Sequence, residues 1–355
     1  MTKIGYDAKR YFHNKTGLGN YSRTLVQAVK EQRPEVEAML YDSKSFERTF
    51  RLGRKAAAEG CLLFHGLSNE LPRDIKKAGI PSVVTMHDVA WRTFPDMYTV
   101  FDRRIYDIKY GWSARNATHV VCISQSTKRD VMRFYGVPEE RISVIYQPVQ
   151  QLFYTPTTDE EARKICNRTL PYTKGREFIL TVGSINSRKN LMGMVQALEG
   201  LPATERPLLL VVGNGREYRT RVERYIDSHG LRNSVRIETG IHDARTLQAL
   251  YTRARCLMYP SFYEGFGLPV VEASLQGCPV ITSNVSSLPE AAGPAAIQVE
   301  PTAVSQMTNA LRRLLASDKE CRERGEAARQ YCMEHFAPER LTRQMLALYD
   351  SLTGR

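Results

Sequence analysis

Residues 256–273 read CLMYPSFYEGFGLPVVEA, and the order of residue types in that stretch sets the fold class. Cys256–Tyr259 is an apolar run of strand length. It ends at Pro260-Ser261, passes through a loop holding Glu264, Gly265 and Gly267, and restarts at Pro269, a residue favoured in the first turn of a helix. A strand, a glycine loop and a helix in that order form the repeating unit of a parallel α/β sheet.

The same unit recurs on both sides. Downstream of residue 175, strands are predicted at Phe178–Val182, Leu208–Val212, Val235–Glu238, Cys256–Tyr259 and Pro279–Thr282, each followed by a loop and a helical pattern. Helices over Val304–Ala316 and Glu320–His335 close that half, and a last helix, Glu339–Leu352, follows Ala337-Pro338. Upstream, strands are predicted at Lys3–Asp7, Cys61–His65, Ser82–Met86 and His119–Ile123, and a long loop ending in Gly17-Leu18-Gly19 precedes a helix over Gly19–Glu31. Between Gln147 and Gly175 the composition turns to proline, paired threonines and charges, as in a linker. The expected fold is therefore α/β, with two Rossmann-like, doubly wound parallel-sheet domains over residues 1–160 and 161–337. Residues 338–355 are expected to form a helix packing back on the first domain. Ligands of such sheets sit outside the carboxyl ends of the strands, so Thr16–Tyr21, His65–Gly66, His87–Asp88 and Ser124 should share one crevice.

Composition agrees with two ordinary domains: 355 residues, 42% hydrophobic and 25% charged. No run approaches the roughly 18–20 apolar residues of a spanning helix, and the first residues form a strand rather than a leader pattern. Seven scattered cysteines without a Cys-x-x-Cys pair suggest neither zinc nor disulfides, so a cytoplasmic setting is expected. The net charge of +12 favours an anionic partner: nucleic acid, a membrane surface or a phosphorylated substrate. No nucleic-acid-binding module is recognisable, and acids interleave with the bases. A nicotinamide enzyme would need a complete Gly-x-Gly-x-x-Gly, but Ser22 follows Gly17 and Gly19 where the third glycine belongs.

Taken alone, the candidate groups each have a bland alternative. Glu264 and Glu272 bracket a glycine loop at a helix start, where backbone amides suit a phosphate, yet glycine there often serves only the turn. Arg188-Lys189 after the strand Phe178–Val182 could neutralise a diphosphate or simply be solvated surface. His87 could simply cap backbone groups, Ser124 could be an N-cap, and Gly17 and Gly19 a conformational device.

Together, Glu264-Gly-Phe-Gly-Leu-Pro-Val-Val-Glu272 resembles the Glu-x7-Glu signature of the retaining glycosyltransferases of family 4, which have the two-domain GT-B fold. The resemblance spans most of the chain. It implies that Glu264 lies beside the transferred sugar, that the amides of Gly265, Phe266, Gly267 and Leu268 contact sugar and diphosphate, and that Glu272 binds the ribose hydroxyls. It also implies that Arg188 and Lys189 bind the diphosphate, with Ser184 standing where many members carry an arginine. Gly183 and Gly213 then line the nucleotide, Ile241 meets the base, Gly17 and Gly19 approach the donor, and His87, supported by Asp88, reaches a sugar hydroxyl.

The chain contains no Asp-x-Asp motif and no dense carboxylate cluster, so no metal or other cofactor is expected. Adding Thr282-Ser-Asn-Val-Ser-Ser-Leu-Pro-Glu290, the chain is similar to the mannosyltransferase-B-like branch, which implies GDP-mannose as donor and an O-antigen or capsule type of glycan as acceptor. A UDP-sugar donor and a non-catalytic nucleotide-binding relative are the alternatives. The helical segment Val100–Ala117 mixes Arg103, Arg104, Lys109 and Arg115 with Phe101, Ile105, Tyr106, Tyr110 and Trp112, and Arg48, Arg51 and Arg54 form a second basic stretch. These fit a lipid-diphosphate acceptor at an anionic, cytoplasmic membrane surface, or equally an ordinary amphipathic helix.

Overall fold

The computed structural model describes residues 2–14, 17–241 and 243–355; Thr16, one of the residues expected at the first crevice, lies outside them. Two compact units divide the chain, residues 1–150 with 336–355, and residues 151–335.

The first unit is built on β1 (Thr2–Asp7), β2 (Val36–Tyr41), β3 (Leu63–Gly66), β4 (Ser82–Met86), β5 (His119–Cys122) and β6 (Ile142–Val144), paired in the order β2-β1-β3-β4-β5-β6 and parallel throughout. Every residue of β3 and β4 is buried. Helices on both faces impose this, which explains why these strands read as apolar runs rather than as alternating ones. Phe64, Val84, Met86, Val120 and Cys122 of the sheet pack with Trp91, Val131 and Tyr135 from the covering helices. The helix Pro338–Thr353 completes this unit by burying Leu341, Met345 and Tyr349, and Arg33 clamps it through two bonds of 2.5 and 2.9 Å to Asp350.

The second unit is built on β7 (Phe178–Val182), β8 (Leu208–Val212), β9 (Val235–Glu238), β10 (Cys256–Tyr259), β11 (Val280–Ser283) and β12 (Ile297–Val299), again all parallel, in the order β12-β11-β10-β7-β8-β9. The chain moves outward from β7 to β9, then returns to lay β10 on the other side of β7. The topological switch point therefore lies between β7 and β10, where loops diverge and leave a crevice at the carboxyl ends. Ile179, Leu209, Val211, Met258 and Ile281 form the core with Val195, Leu198, Met307 and Leu311.

Three differences from the sequence reading have physical causes. The expected loop before Gly17 holds a short helix, Lys9–His13, and Gly17 and Gly19 occupy the first turn of the helix Gly17–Gln32 rather than a loop. β2, β6 and β12 were not anticipated: β2 buries only Val36 and Tyr41 fully, and the others have three residues each, too few for a period to show. The first unit gives way to the second after Gln150, ten residues before the expected boundary. Gln248 Nε2 donates to Leu152 O (2.9 Å) and Thr155 O (2.7 Å), and Gln276 Nε2 to Phe153 O (2.6 Å), so this proline-bracketed segment belongs with the second unit.

Candidate active site

The loops after β7 and β8 are fastened together by backbone. Gly183 N–H donates to Val212 O (2.9 Å), Ile185 N–H to Asn214 O (2.7 Å), and Gly213 N–H to Glu238 O (2.9 Å). A Cβ on Gly213 would lie 1.8 Å from Gly183 O, and Gly183 itself has φ 139°, a conformation open to glycine. Gly213 is thus required by close approach and Gly183 by its backbone conformation.

From this anchored loop a single 3₁₀ turn, Ser187–Lys189, presents Arg188 and Lys189 across the switch point to the loop after β10. The Asn186 side chain caps the turn at Lys189 N–H, and Asn190 ends it in the left-handed region at φ 59°. Asn190 Nδ2 donates to Pro260 O (3.2 Å) and Pro301 O (2.7 Å). Phe262 N–H returns a bond to Arg188 O (2.8 Å), and the Arg188 guanidinium also donates to Tyr263 O.

Glu264 receives both cations. Lys189 Nζ is 2.6 Å from its Oε1 and Arg188 Nη1 2.9 Å from its Oε2, while Lys189 also donates to Tyr259 OH and lies 4.7 Å from that ring's centre. Glu264 is 7% exposed. Burial alone would raise its carboxyl, but the charges of Lys189 and Arg188 prevail and hold it down at about 2. Ser286 and Ser287, beyond β11, fix its backbone: Glu264 N–H donates to Ser286 Oγ (3.0 Å), and Ser287 Oγ reaches Glu264 O and Phe266 O at 2.8 Å each.

Gly265 and Phe266 follow, and Gly267, at φ 116°, starts the helix Leu268–Leu275. Glu272 sits one turn into that helix and accepts a bond from Tyr251 OH (2.9 Å). The residue is half-buried, but its carboxyl is enclosed enough that burial pushes it up to about 7. Ile241 is not part of this group. It follows β9, two strands from β7, and is half-buried. Ser184 is exposed and accepts from Asn186 Nδ2.

In the first unit, His87 lies at the carboxyl end of β4, buried to 5% exposure. Its Nε2 is 2.9 Å from Leu67 O, so Nε2 carries the proton and Nδ1 is the acceptor nitrogen; burial lowers it to about 4, leaving the ring neutral. Asp88 Oδ1 accepts from Ala90 N–H (3.1 Å), a local turn bond. Ser124 is the N-cap of the helix Gln125–Tyr135. Gly19 has a packing reason, since a Cβ there would lie 1.8 Å from Asn14 O; Gly17 O accepts from Gln147 Nε2 (3.3 Å). Arg48 departs from its expected place in an exposed basic stretch, because Asp7 (2.7 Å) and Glu70 (2.7 Å) hold it beneath the surface.

The residues that sequence reasoning passed over are Tyr259, Asn190, Tyr251, Ser286 and Ser287. Each acts across 20 or more positions of sequence. Tyr259 could have been found from its place at the end of β10, and Ser286 and Ser287 from the Thr282–Glu290 string in which they stand. Among the described residues no group of three or more His, Cys, Asp or Glu is placed to hold a metal ion.

Arg188 and Lys189, a pair of cations from the strand-end turn, thus meet a loop glutamate at the switch point of the second sheet. The family model of glycosyltransferase family 4 matches residues 17–150, and that of glycosyl transferases group 1 matches residues 167–331. The chain belongs to the family 4 glycosyltransferases. Relative to the O-antigen chain mannosyltransferase B of Escherichia coli, this glycosyltransferase is 27% identical over 375 residues, covering 95% of its own chain and 96% of the relative. Its fold is GT-B. Sucrose-phosphate synthase from Thermosynechococcus elongatus matches over 100% of both chains with a TM-score of 0.81 and 21% identity. HepE from Anabaena, solved in complex with UDP and glucose, matches over 99% of this chain and 100% of its own with a TM-score of 0.76 and 16% identity.

Proposed function

We propose that this glycosyltransferase moves mannose from GDP-mannose to a growing glycan of the O-antigen or capsule type, with retention of configuration and without a metal ion. The observation that carries the reading is the Arg188–Glu264–Lys189 cluster at the switch point of the second sheet. On this reading the two cations take the charge that develops on the leaving diphosphate and supply the stabilisation a metal ion supplies elsewhere.

Both oxygens of Glu264 are engaged by cations. That favours a group that orients the sugar and stabilises positive charge at its anomeric carbon over a covalent nucleophile. In the proposed step the bond from the anomeric carbon to the phosphate oxygen breaks, and its electron pair leaves with the diphosphate. The acceptor hydroxyl attacks the same face and gives its proton to the leaving phosphate oxygen. Glu272 is assigned to the ribose hydroxyls, the amides of Gly265 to Leu268 to sugar and phosphate, and His87 Nδ1 to accepting a bond from a sugar hydroxyl. Gly183 and Gly213 shape the floor under the diphosphate, Gly17 and Gly19 are assigned to the donor's approach, and Ile241 to the base. Mannose is supported by the name of the Escherichia coli relative.

A membrane-surface role at the cytoplasmic face is supported by the first unit's exposed Phe46, Phe50, Val100, Phe101 and Ile108, which accompany Arg51, Arg103, Arg104 and Lys109. No described helix is long and apolar enough to cross a membrane. Saturation-transfer NMR against GDP- and UDP-sugars, followed by hydrolysis assays with and without EDTA, tests the reading. Binding and turnover of GDP-mannose unaffected by EDTA is expected; exclusive use of a UDP-sugar, or loss of activity with EDTA, would overturn the donor or the metal-independent step respectively.

A further inference from the structure

Behind His87 runs a chain of buried polar side chains that the transfer chemistry does not use. Tyr349, on the helix Pro338–Thr353, places its hydroxyl 2.6 Å from His65 Nδ1. His65 Nε2 is 2.8 Å from Thr85 Oγ1, and Thr85 Oγ1 is 2.9 Å from Tyr21 OH. Tyr21 meets the His87 ring at 89° with centres 4.8 Å apart. None of the five side chains is more than 5% exposed.

Stability does not call for this arrangement. His65 and Thr85 lie among Phe64, Val83, Val84 and Met86 on β3 and β4, where apolar side chains would pack without any need for partners. A buried polar network of this kind adds little net stability but fixes one geometry, because each member must satisfy the next. His65 is held neutral by burial, at about 3, so one ring nitrogen donates and the other accepts. The direction of every hydroxyl between Tyr349 and Tyr21 is thereby linked.

We propose that Tyr349, His65, Thr85 and Tyr21 are positioning residues that set the ring plane of His87 and the first turn of the helix carrying Gly17 and Gly19. The last helix of the chain is then part of the catalytic apparatus. This inference rests on the role proposed above for His87 at the transferred sugar.

Tyr349→Phe and Thr85→Val each remove a hydroxyl at nearly constant volume, and Thr85→Ser restores one. With GDP-mannose as substrate, the first two are expected to lower kcat roughly fivefold to tenfold with donor KM within about twofold, and Thr85→Ser to stay near wild type. The double variant should be no worse than either single one, since both cut the same chain. Nitrogen-15 spectra of the seven histidines, with His87 assigned through His87→Gln, give a readout independent of turnover. The His87 ring resonances should shift in Tyr349→Phe although that residue touches His65 and not His87. Unshifted His87 resonances, or additive losses in kcat, overturn the proposal. Absence of turnover with every donor in the wild-type protein would instead refute the proposed function, and the spectra would still decide the network.

Discussion

Replacing Glu264 by Gln removes one negative charge and nearly preserves shape. A carboxyl held at about 2 against an ordinary 4.5 is favoured in its ionised form by about 3 kcal/mol. Arg188 and Lys189 keep 18% and 15% of their side chains exposed, so water recovers part of the loss and about 3 kcal/mol is an upper figure for the destabilisation. Because the folded value is the lower one, the carboxylate's contribution is fully present above pH 4.5 and is lost as pH falls through about 2. The melting temperature of Glu264→Gln at pH 7 should fall by up to roughly 10 °C, and the gap should close below pH 4.5. The same substitution frees two cations, so GDP should bind as tightly as before or more tightly. Turnover should drop by about 10²–10³, the usual loss when one charge-stabilising group is removed. Calorimetry with GDP, melting curves across pH and a turnover assay read the three effects separately. Turnover within about threefold of wild type would refute the placement of Glu264 beside the reacting carbon, and loss of GDP binding would make it a nucleotide ligand instead.

Other substitutions probe the remaining groups. Lys189→Ala should weaken GDP binding by about 2 kcal/mol in calorimetry, as expected for a charge-assisted hydrogen bond in a half-buried site. Glu272 titrates near 7 in the free protein, and ribose hydroxyls would donate to its ionised form. Nucleotide affinity should therefore rise about tenfold from pH 6 to pH 8, and Glu272→Gln should abolish that rise. Gly213→Ala drives a Cβ to 1.8 Å from backbone and should destabilise by about 3 kcal/mol, whereas Gly240→Ala, with nothing within 4 Å, should melt like wild type. Replacing Arg103, Arg104 and Lys109 by Ser should weaken partitioning onto anionic vesicles by about 1 kcal/mol per charge, measured by cosedimentation; unchanged partitioning would remove the membrane reading.

The sequence disclosed those parts of the molecule that neighbouring residues determine. β4, β7, β8 and β10 fall where their apolar runs place them, because strands buried on both faces need little but continuous hydrophobicity. The segment 260–273 showed its loop and helix start through glycine and proline, which act locally. Short strands such as β6 and β12 are specified by the strand beside them, so their own three residues say little. Likewise Arg188 and Lys189 could be placed at a strand end, but their attachment to Glu264, which is 75 positions from Lys189, is a property of the sheet order. The His65–Tyr349 bond spans 284 positions and leaves no trace in either neighbourhood.

Asn190 has a consequence for anyone wishing to alter donor preference. Its side-chain amide bonds the segment after β10 at Pro260 and the segment after β12 at Pro301, while its own backbone ends the turn that carries Arg188 and Lys189. These stretches form one interlocked cassette, so a graft that exchanges the turn after β7 alone would arrive without its docking points. Swaps between relatives should carry residues 183–190 together with 260–267 and 301, and single-loop chimeras should fail through loss of geometry before specificity can be read.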